Sequence, residues 1–282
     1  MKKYMDRLLT FVIGVPAAVS IILFMPQKNH LAANITAIIL SALGAMEFAE
    51  ILKKKNNAIG STEAAILGIS NPLAMTLAVS FDINLPVLPI IAASWLLISR
   101  VFASEEDLKG AANRIAAGFA VIAYPGLFMT WIIRMTRLPE AETALLIFLL
   151  LVFANDSAAW AAGLLFGKGS RGVIKASPNK SLAGFAGGIA ASTLIGLGAV
   201  YVLPEVFTSQ SFPSPLAGLV VGFLSATAAT LGDLGESVLK RSSNIKDSGH
   251  LIPGRGGVLD SIDSLCLAAP VYYGSYCFFF TQ

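Results

Sequence analysis

Long apolar stretches, each close to the length of a membrane-crossing helix, alternate along this chain with short polar segments. A helix needs about 20 apolar residues to cross a bilayer. By that length the sequence predicts nine spans, of which the fourth is short: approximately 8–25, 31–52, 60–81, 86–102, 112–133, 143–166, 183–203, 216–239 and 258–280. We therefore expect an all-α polytopic membrane protein.

The composition points to the same class. Of 282 residues, 55% are hydrophobic and only 13% are charged, whereas a soluble protein averages roughly 25% charged residues. The first stretch follows Lys2, Lys3 and Arg7 but lacks a convincing small-residue cleavage site, so we expect a retained helix rather than a signal peptide. Cys266 and Cys277 both lie in the last apolar stretch, where they form neither a disulfide framework nor zinc spacing.

The distribution of positive charge predicts how the spans are oriented, because cytoplasmic loops are enriched in Lys and Arg. With the N-terminus in the cytoplasm, 17 of the 20 Lys and Arg residues fall on the inner side, including Lys53, Lys54 and Lys55. A missed span would move every later loop to the other side and remove this bias. The sequence therefore predicts a cytoplasmic N-terminus and an external C-terminus.

Polar residues divide the chain into two parts. Residues 1–140 hold few intramembrane polar groups apart from Glu47 and Glu50, and we expect this part to serve structure, dimerisation or lipid access. Residues 141–282 carry motif-like polar residues in nearly every inner loop and in several helix interiors. Because charges inside a membrane are costly and usually functional, we predict the catalytic site in this second part.

Four carboxylates of the second part are candidates for one metal site. Asp156 lies inside the sixth span, Asp233 ends the eighth together with Glu236, and Asp260 and Asp263 open the ninth. The members of each pair are three residues apart and share a helix face. The carboxylate of Asp156 could instead have its hydrogen bonds supplied by a neighbouring helix. If the four converge near the inner face, their repulsion requires a divalent cation, and carboxylates suit Mg²⁺.

Cations accompany these acidic residues. Lys168 and Lys180 flank the ends of helices, where a lysine can reach phosphate. Arg171 and Lys175 lie in the same loop, and we attribute them to the general enrichment of inner loops in positive charge. Lysine and arginine side chains are the usual protein ligands of phosphate. The segment 237–263 adds four more cations: Lys240, Arg241, Lys246 and Arg255.

A glycine-rich turn, Gly254 with Gly256 and Gly257, leads into the ninth helix. Such a turn at a helix N-terminus offers free backbone N–H groups to an anion. The two histidines, His30 and His250, leave no Ser-His-Asp arrangement. The residues therefore favour phosphate chemistry at a bilayer surface.

The segment 237–263 resembles the signature of phosphatidate cytidylyltransferases, also called CDP-diacylglycerol synthases. The stretches NDSAAW…GK, SPNKS…G…GG and GDLGES also look like elements of that family, so the resemblance covers about residues 150–265. The chain has Arg255 where the family usually has His, Ser261 where it usually has Arg, and Ala183 where an acidic residue is common. The matching positions of the signature are Ser237, Lys240, Arg241, Lys246, Asp247, Pro253, Gly256, Gly257, Asp260 and Asp263.

The resemblance implies transfer of the cytidylyl group of CTP to phosphatidic acid, giving CDP-diacylglycerol and pyrophosphate, with Mg²⁺ required. It implies a membrane-embedded enzyme and a homodimer. From the distribution of positive charge we expect the active site to face the cytoplasm at the inner membrane, and we expect no nucleic acid as a partner. The metal ligands that we predict are Asp233, Asp260, Asp263 and Asp156. The predicted catalytic cations are Lys240 and Arg241. The predicted substrate contacts are Lys168, Lys180, Ser237, Lys246, Arg255, Gly256 and Gly257.

Two alternatives stay open at this point. The chain could be a CTP-dependent transferase acting on another lipid, such as an isoprenoid phosphate or alcohol. It could also be an ion-coupled transporter, although such proteins place their sites at the bilayer midplane between repeats. The clustering of carboxylates at one face, ringed by cations, favours the transferase.

Overall fold

The computed structural model describes residues 2–53, 59–102, 104–209 and 212–281. For residues 2–8, 106 and 107 it describes the backbone but not the side chains. Lys54 and Lys55, which we predicted on the inner side, lie outside the described residues. The described part is helical and contains no strand beyond two isolated bridges. Its α-helices are α1 (Lys2–Phe24), α2 (Gln27–Lys53), α3 (Ser61–Phe81), α4 (Val87–Ile98), α5 (Glu105–Leu108), α6 (Ala111–Val121), α7 (Phe128–Met135), α8 (Ala141–Phe166), α9 (Leu182–Val202), α10 (Ser214–Ser242) and α11 (Leu259–Phe280).

The nine predicted stretches all fall on helical segments of the described chain. The fifth is built from α6, a π-helical turn (Ile122–Leu127) and α7. Among the described residues, two shorter apolar helices, Leu9–Phe24 and Val87–Ile98, accompany six segments that are long and apolar enough to cross a membrane. Those six are Gln27–Lys53, Ser61–Phe81, Ala111–Met135, Ala141–Gly169, Leu182–Val202 and Ser214–Ser242. The all-helical, multi-pass class is thus confirmed, while the count of nine spans and their orientation stay predictions.

The chain forms two compact units, and the division between them runs through α10 and α11. The first unit comprises Met1–Arg137 with Leu239–Ile262, and the second comprises Leu138–Val238 with Asp263–Gln282. In the first unit α2 packs along α3, and α7 packs against both. Ile51, Leu67 and Ile133 are among its fully buried side chains. The predicted functional boundary at about residue 140 stays a prediction.

Glycines bring the backbones of α9 and α10 into contact in the second unit. A Cβ atom on Gly196 would lie 3.0 Å from both the backbone nitrogen and the Cα atom of Gly222. A Cβ on Gly222 would lie 2.5 Å from the carbonyl oxygen of Ser192. Small residues at helix interfaces allow this approach in membranes, where close packing replaces the hydrophobic effect as the source of helix association.

We expect Gly196→Ala to destabilise the second unit, since the added methyl group meets backbone atoms that cannot move aside. Overpacking of this kind costs about 1–3 kcal/mol. The matched control is Gly198→Ala on the same helix, because a Cβ atom at Gly198 would meet nothing within 4 Å. Thermal unfolding in detergent measures both variants, and equal midpoints would contradict the proposed α9–α10 contact.

Candidate functional site

Asp260, in the first turn of α11, is surrounded by donors from the first unit. Its Oδ2 atom accepts hydrogen bonds from the backbone N–H of Gly257 at 2.7 Å and of Ser248 at 2.8 Å, and it lies 3.0 Å from the Ser248 hydroxyl oxygen, whose single proton it shares with Glu47. Its Oδ1 atom pairs with the ammonium group of Lys240. The side chains of Lys240 and Asp260 are only 11% and 7% exposed. Both oxygens of this buried carboxylate are therefore satisfied by the protein.

Glu47, on α2, binds the segment that leads into α11. Its Oε1 atom accepts the N–H of Val258 at 2.9 Å, and its Oε2 atom accepts the N–H of Leu259 at 2.8 Å and the Ser248 hydroxyl at 2.8 Å. The first N–H groups of a helix have no partner within the helix, and a negative charge there is favoured by the helix dipole. Glu47 thus caps α11 from a position more than 200 residues earlier in the chain.

The glycines of the turn are required by these carboxylates. Gly256 adopts φ +114°, which L side chains rarely adopt, and a Cβ atom there would lie 2.5 Å from Oδ2 of Asp260. A Cβ atom on Gly257 would overlap the carboxylate of Glu47 and the hydroxyl of Ser248. We predicted that N–H groups of this turn would meet an anion, and the anions that they meet in this structure are the protein's own carboxylates.

The other predicted cations of the first unit lie nearer the surface. Arg241 is exposed, and its guanidinium donates to the carbonyl oxygen of Ile245 at 3.0 Å. Lys246 is exposed and Arg255 is half-buried. Their positions leave them accessible to a soluble phosphate compound, and their roles as substrate contacts stay predictions.

A second acidic group lies within the second unit. Asp263 is 7% exposed, and Asp156, Asp233 and Glu236 are close enough for their charges to act on it. Asp233 pairs with Lys180, and these two side chains are 31% and 27% exposed. Like charges gathered in apolar surroundings repel one another unless protons or cations neutralise them. The structure thus brings together three of the four carboxylates that we predicted as metal ligands.

The loop that carries Lys180 is built against α8 and α9. The Ser181 hydroxyl caps α9 by accepting the N–H of Gly184 at 3.0 Å, so Lys180 stands directly before a helix N-terminus. A Cβ atom on Gly167 would lie 2.7 Å from the Ser181 hydroxyl oxygen. Lys168 is exposed at the other end of the loop, and Ser237 is buried on α10.

Asn155, next to Asp156, carries an unsatisfied polar atom. Its amide nitrogen lies 3.3 Å from the Thr230 hydroxyl and 3.5 Å from a carboxylate oxygen of Asp156. Its Oδ1 atom is buried and has no hydrogen-bond partner within the described part of the chain. An unmet acceptor of this kind costs about 1–3 kcal/mol when it stays without a donor.

The predicted ligands fit Mg²⁺ by chemical type, since all of them are carboxylates. Across residues 2–53, 59–102, 104–209 and 212–281, however, no three acidic, histidine or cysteine side chains are arranged to hold a metal ion. Asp233 and Asp260 are paired with lysines instead. Asp260 belongs to the first unit, whereas Asp156, Asp233 and Asp263 belong to the second. The metal site stays a prediction.

Sequence reasoning did not assign a role to Glu47 or Ser248, which hold the turn and Asp260. The signal for Glu47 was present, because an ionisable residue in an apolar helix is usually functional. Nothing in the sequence indicated its partners, which lie 201 to 212 positions away. Ser248 lies within the matching segment but is not one of its charged or glycine positions.

Several known proteins are similar to this chain along most of its length. The model of a family described as "Cytidylyltransferase family" matches residues 5–279. The phosphatidate cytidylyltransferase of Haemophilus influenzae is 30% identical over 98% of this chain and 98% of its own length. The corresponding protein of Synechocystis sp. is 28% identical over 95% and 94%, and that of Staphylococcus saprophyticus is 29% identical over 90% and 94%.

We expect Glu47→Gln to loosen the turn, because the amide nitrogen would face donors that a carboxylate oxygen accepts. Leaving such donors unsatisfied costs about 1–3 kcal/mol. The fraction of molecules in which the turn is open should then rise, and cleavage in that open form should become about fivefold faster or more. Limited digestion with trypsin in detergent, which cuts after Lys246 and Arg255, measures this rate. Glu50→Gln is the control on the same helix, since its side chain is 51% exposed. Equal cleavage rates for the two variants would contradict the capping role.

Proposed function

This chain belongs to the cytidylyltransferase family, and from that premise we propose that it transfers the cytidylyl group of CTP to phosphatidic acid. The products are CDP-diacylglycerol and pyrophosphate. Relatives that are matched over 94% or more of their own length carry the name phosphatidate cytidylyltransferase, so the similarity extends along nearly the whole of both chains. The enzyme is a multi-pass membrane protein, and it makes a phospholipid precursor from one soluble and one lipid substrate.

The observation that carries the mechanism is the pair of lysine–aspartate contacts, Lys180 with Asp233 and Lys240 with Asp260. Buried charges are stable only when they are paired. Phosphate groups of the substrates would compete for these lysines, and each aspartate would then need another cation. A divalent cation satisfies that need, so the same residues can hold phosphate and metal together.

The reaction joins an oxygen of the phosphatidate phosphate to the α-phosphorus of CTP. The bond from that phosphorus to the bridging oxygen of the β-phosphate breaks, and pyrophosphate leaves with the electron pair. Because the lipid phosphate is already a nucleophile, no covalent intermediate on the protein is needed. Catalysis then comes from positioning and from neutralisation of charge. The residues that we assign to phosphate are Lys168, Lys180, Lys240, Arg241, Lys246 and Arg255, with Ser237 as a hydrogen-bonding partner.

We assign Mg²⁺ to the carboxylates Asp156, Asp233, Asp263 and Asp260. When bound, Mg²⁺ would neutralise the phosphates of CTP and of the departing pyrophosphate. The convergence of the Asp156, Asp233 and Glu236 charges on Asp263 supports this assignment, because a bound cation relieves repulsion between like charges. Gly256 and Gly257 contribute by letting the backbone approach Asp260 closely.

The proposed membrane arrangement places the N-terminus and the site on the cytoplasmic side of the inner membrane, with nine spans and an external C-terminus. The support is the distribution of Lys and Arg, of which 17 of 20 fall on one side. CTP is a cytoplasmic compound, so the same orientation supplies the soluble substrate. We also propose that two copies of the chain form a homodimer, as the family resemblance implies.

The test of the activity uses the purified chain in vesicles that contain phosphatidic acid, with CTP and Mg²⁺ added. We expect CDP-diacylglycerol and pyrophosphate in equal amounts, and neither product without phosphatidic acid. Replacing phosphatidic acid with an isoprenoid phosphate or alcohol tests the other lipid class, and product formed only from those lipids would reject the assignment.

We expect Asp263→Asn to lower the rate at least ~10²-fold, by analogy with the loss of one group that stabilises a transition state. The response to Mg²⁺ concentration should shift to higher values in any residual activity. Asp82→Asn is the matched control: its side chain is 87% exposed, and its left-handed backbone (φ 54°) suits asparagine. Near-normal turnover of the folded Asp263→Asn protein would reject the metal assignment.

The orientation is tested by labelling single cysteines in intact cells with a maleimide that cannot cross membranes. Arg137→Cys, at a position whose side chain is 63% exposed, should react from outside. Lys109→Cys, also at an exposed position, should react only after the cells are opened. The unsubstituted chain measures the background from Cys266 and Cys277, and the reverse labelling pattern would overturn the orientation.

A further inference from the structure

The hydroxyl of Ser248 lies between two carboxylates of the first unit. Its oxygen is 2.8 Å from Oε2 of Glu47 and 3.0 Å from Oδ2 of Asp260, and it accepts the backbone N–H of Asp260 at 3.3 Å. A serine hydroxyl has a single proton and rotates to suit its surroundings. The proton can therefore point to either carboxylate, but to one of them at a time.

Glu47 does not depend on this proton. When the hydroxyl turns away, Oε1 of Glu47 keeps the N–H of Val258 and Oε2 keeps the N–H of Leu259. Both N–H groups lie at the start of α11, where the helix dipole favours a negative charge. Each oxygen of Glu47 thus retains a donor in either orientation of the Ser248 hydroxyl.

Asp260 needs the proton once Lys240 is elsewhere. The ammonium group of Lys240 pairs with Oδ1 of Asp260, whose side chain is only 7% exposed. Without the lysine, the contacts of this carboxylate that remain within the described part of the chain are the N–H groups of Gly257 and Ser248 and the shared hydroxyl, all on Oδ2. A buried charge that loses its partner is strongly destabilised. Little water can reach Asp260, so a donor that is already in place must compensate.

Two glycines hold the hydroxyl and the Glu47 carboxylate close together. A Cβ atom on Gly257 would lie 2.1 Å from both the Ser248 hydroxyl oxygen and Oε2 of Glu47. A Cβ atom on Gly249 would lie 2.4 Å from Oε1 of Glu47. The backbone packs directly against these oxygen atoms, so rotation of the Ser248 O–H bond is the smallest movement by which Asp260 can gain a donor.

We propose that Ser248 is a positioning residue of the reaction, whose hydroxyl turns from Glu47 to Asp260 when Lys240 moves to a phosphate group of a substrate. The contact with Glu47 is the shorter of the two, as expected while Lys240 neutralises Asp260. The rotation lowers the free energy needed to separate Lys240 from Asp260, and no proton is transferred. The proposal rests on the proposed function in taking a substrate phosphate as the group that attracts Lys240.

The experiment measures the binding of each substrate without turnover, using the full chain in detergent with Mg²⁺. Calorimetry with CTP alone, and separately with a short-chain phosphatidic acid alone, gives two dissociation constants. Ser248→Ala leaves no hydroxyl to replace Lys240 at Asp260, so at least one of these constants should rise about tenfold, as for the loss of a hydrogen bond to a charged group. Ser242→Ala is the matched control and should change neither constant, because its exposed hydroxyl donates to the carbonyl oxygen of Leu239.

Glu47→Gln separates a rotating hydroxyl from one that only holds the turn. A neutral amide accepts a hydrogen bond less strongly than a carboxylate, so the Ser248 proton should stay on Asp260. The substrate whose binding Ser248→Ala weakens should then bind more tightly than to the unsubstituted chain, although the turn is looser. Weaker binding in both variants would mean that Ser248 only holds the turn, and would overturn the proposal. Two unchanged dissociation constants in Ser248→Ala would overturn it as well.

Ser248→Cys carries the same test if Ser248→Ala fails to fold, since a thiol takes the place of the hydroxyl but is a weak donor. The affected dissociation constant should rise by a smaller factor, and no change would contradict the proposal. Turnover of the unsubstituted chain judges the reaction separately. If that chain binds both substrates but forms no CDP-diacylglycerol, the proposed function fails, while the binding measurements still decide the role of Ser248.

Discussion

A carboxylate placed among apolar helices requires donors or a cation close by, and this requirement organises the first unit. Glu47 meets it with the N–H groups of Val258 and Leu259, and Asp260 meets it with Lys240 and the N–H groups of Gly257 and Ser248. These contacts join α2, the end of α10 and the start of α11. The position of the turn therefore depends on acidic side chains that are separated widely in sequence.

The same requirement explains why lysines accompany the aspartates. A lysine can neutralise an aspartate while no substrate is present, and it can move to phosphate when one arrives. An arginine would hold a carboxylate more rigidly through its planar fork. The lysines at positions 180 and 240 therefore suit the proposed site, whose counter-ions would exchange during the reaction.

Much of the fold could be predicted because each membrane-crossing helix corresponds to an uninterrupted apolar stretch of the sequence. The stretch at 183–203, for example, became α9 (Leu182–Val202) with an error of one residue at each end. The pairing of Asp233 with Lys180 and of Glu47 with Ser248 could not be predicted, since side-chain partners across helices depend on rotation and tilt. The spacing of Asp260 and Asp263 correctly placed both at the start of one helix, but it did not indicate that Lys240 would hold the first.

The glycine contact between α9 and α10 limits how the second unit can move. At Gly196 and Gly222 no side chains separate the two backbones. One helix can therefore slide along the other only if the two helices first move apart. Under the proposed function, entry of a nucleotide to the acidic group of the second unit would then depend on side-chain rearrangement and on the loop at residues 167–181. Helices α9 and α10 would keep their relative position during the proposed reaction, while the short segments at their ends move.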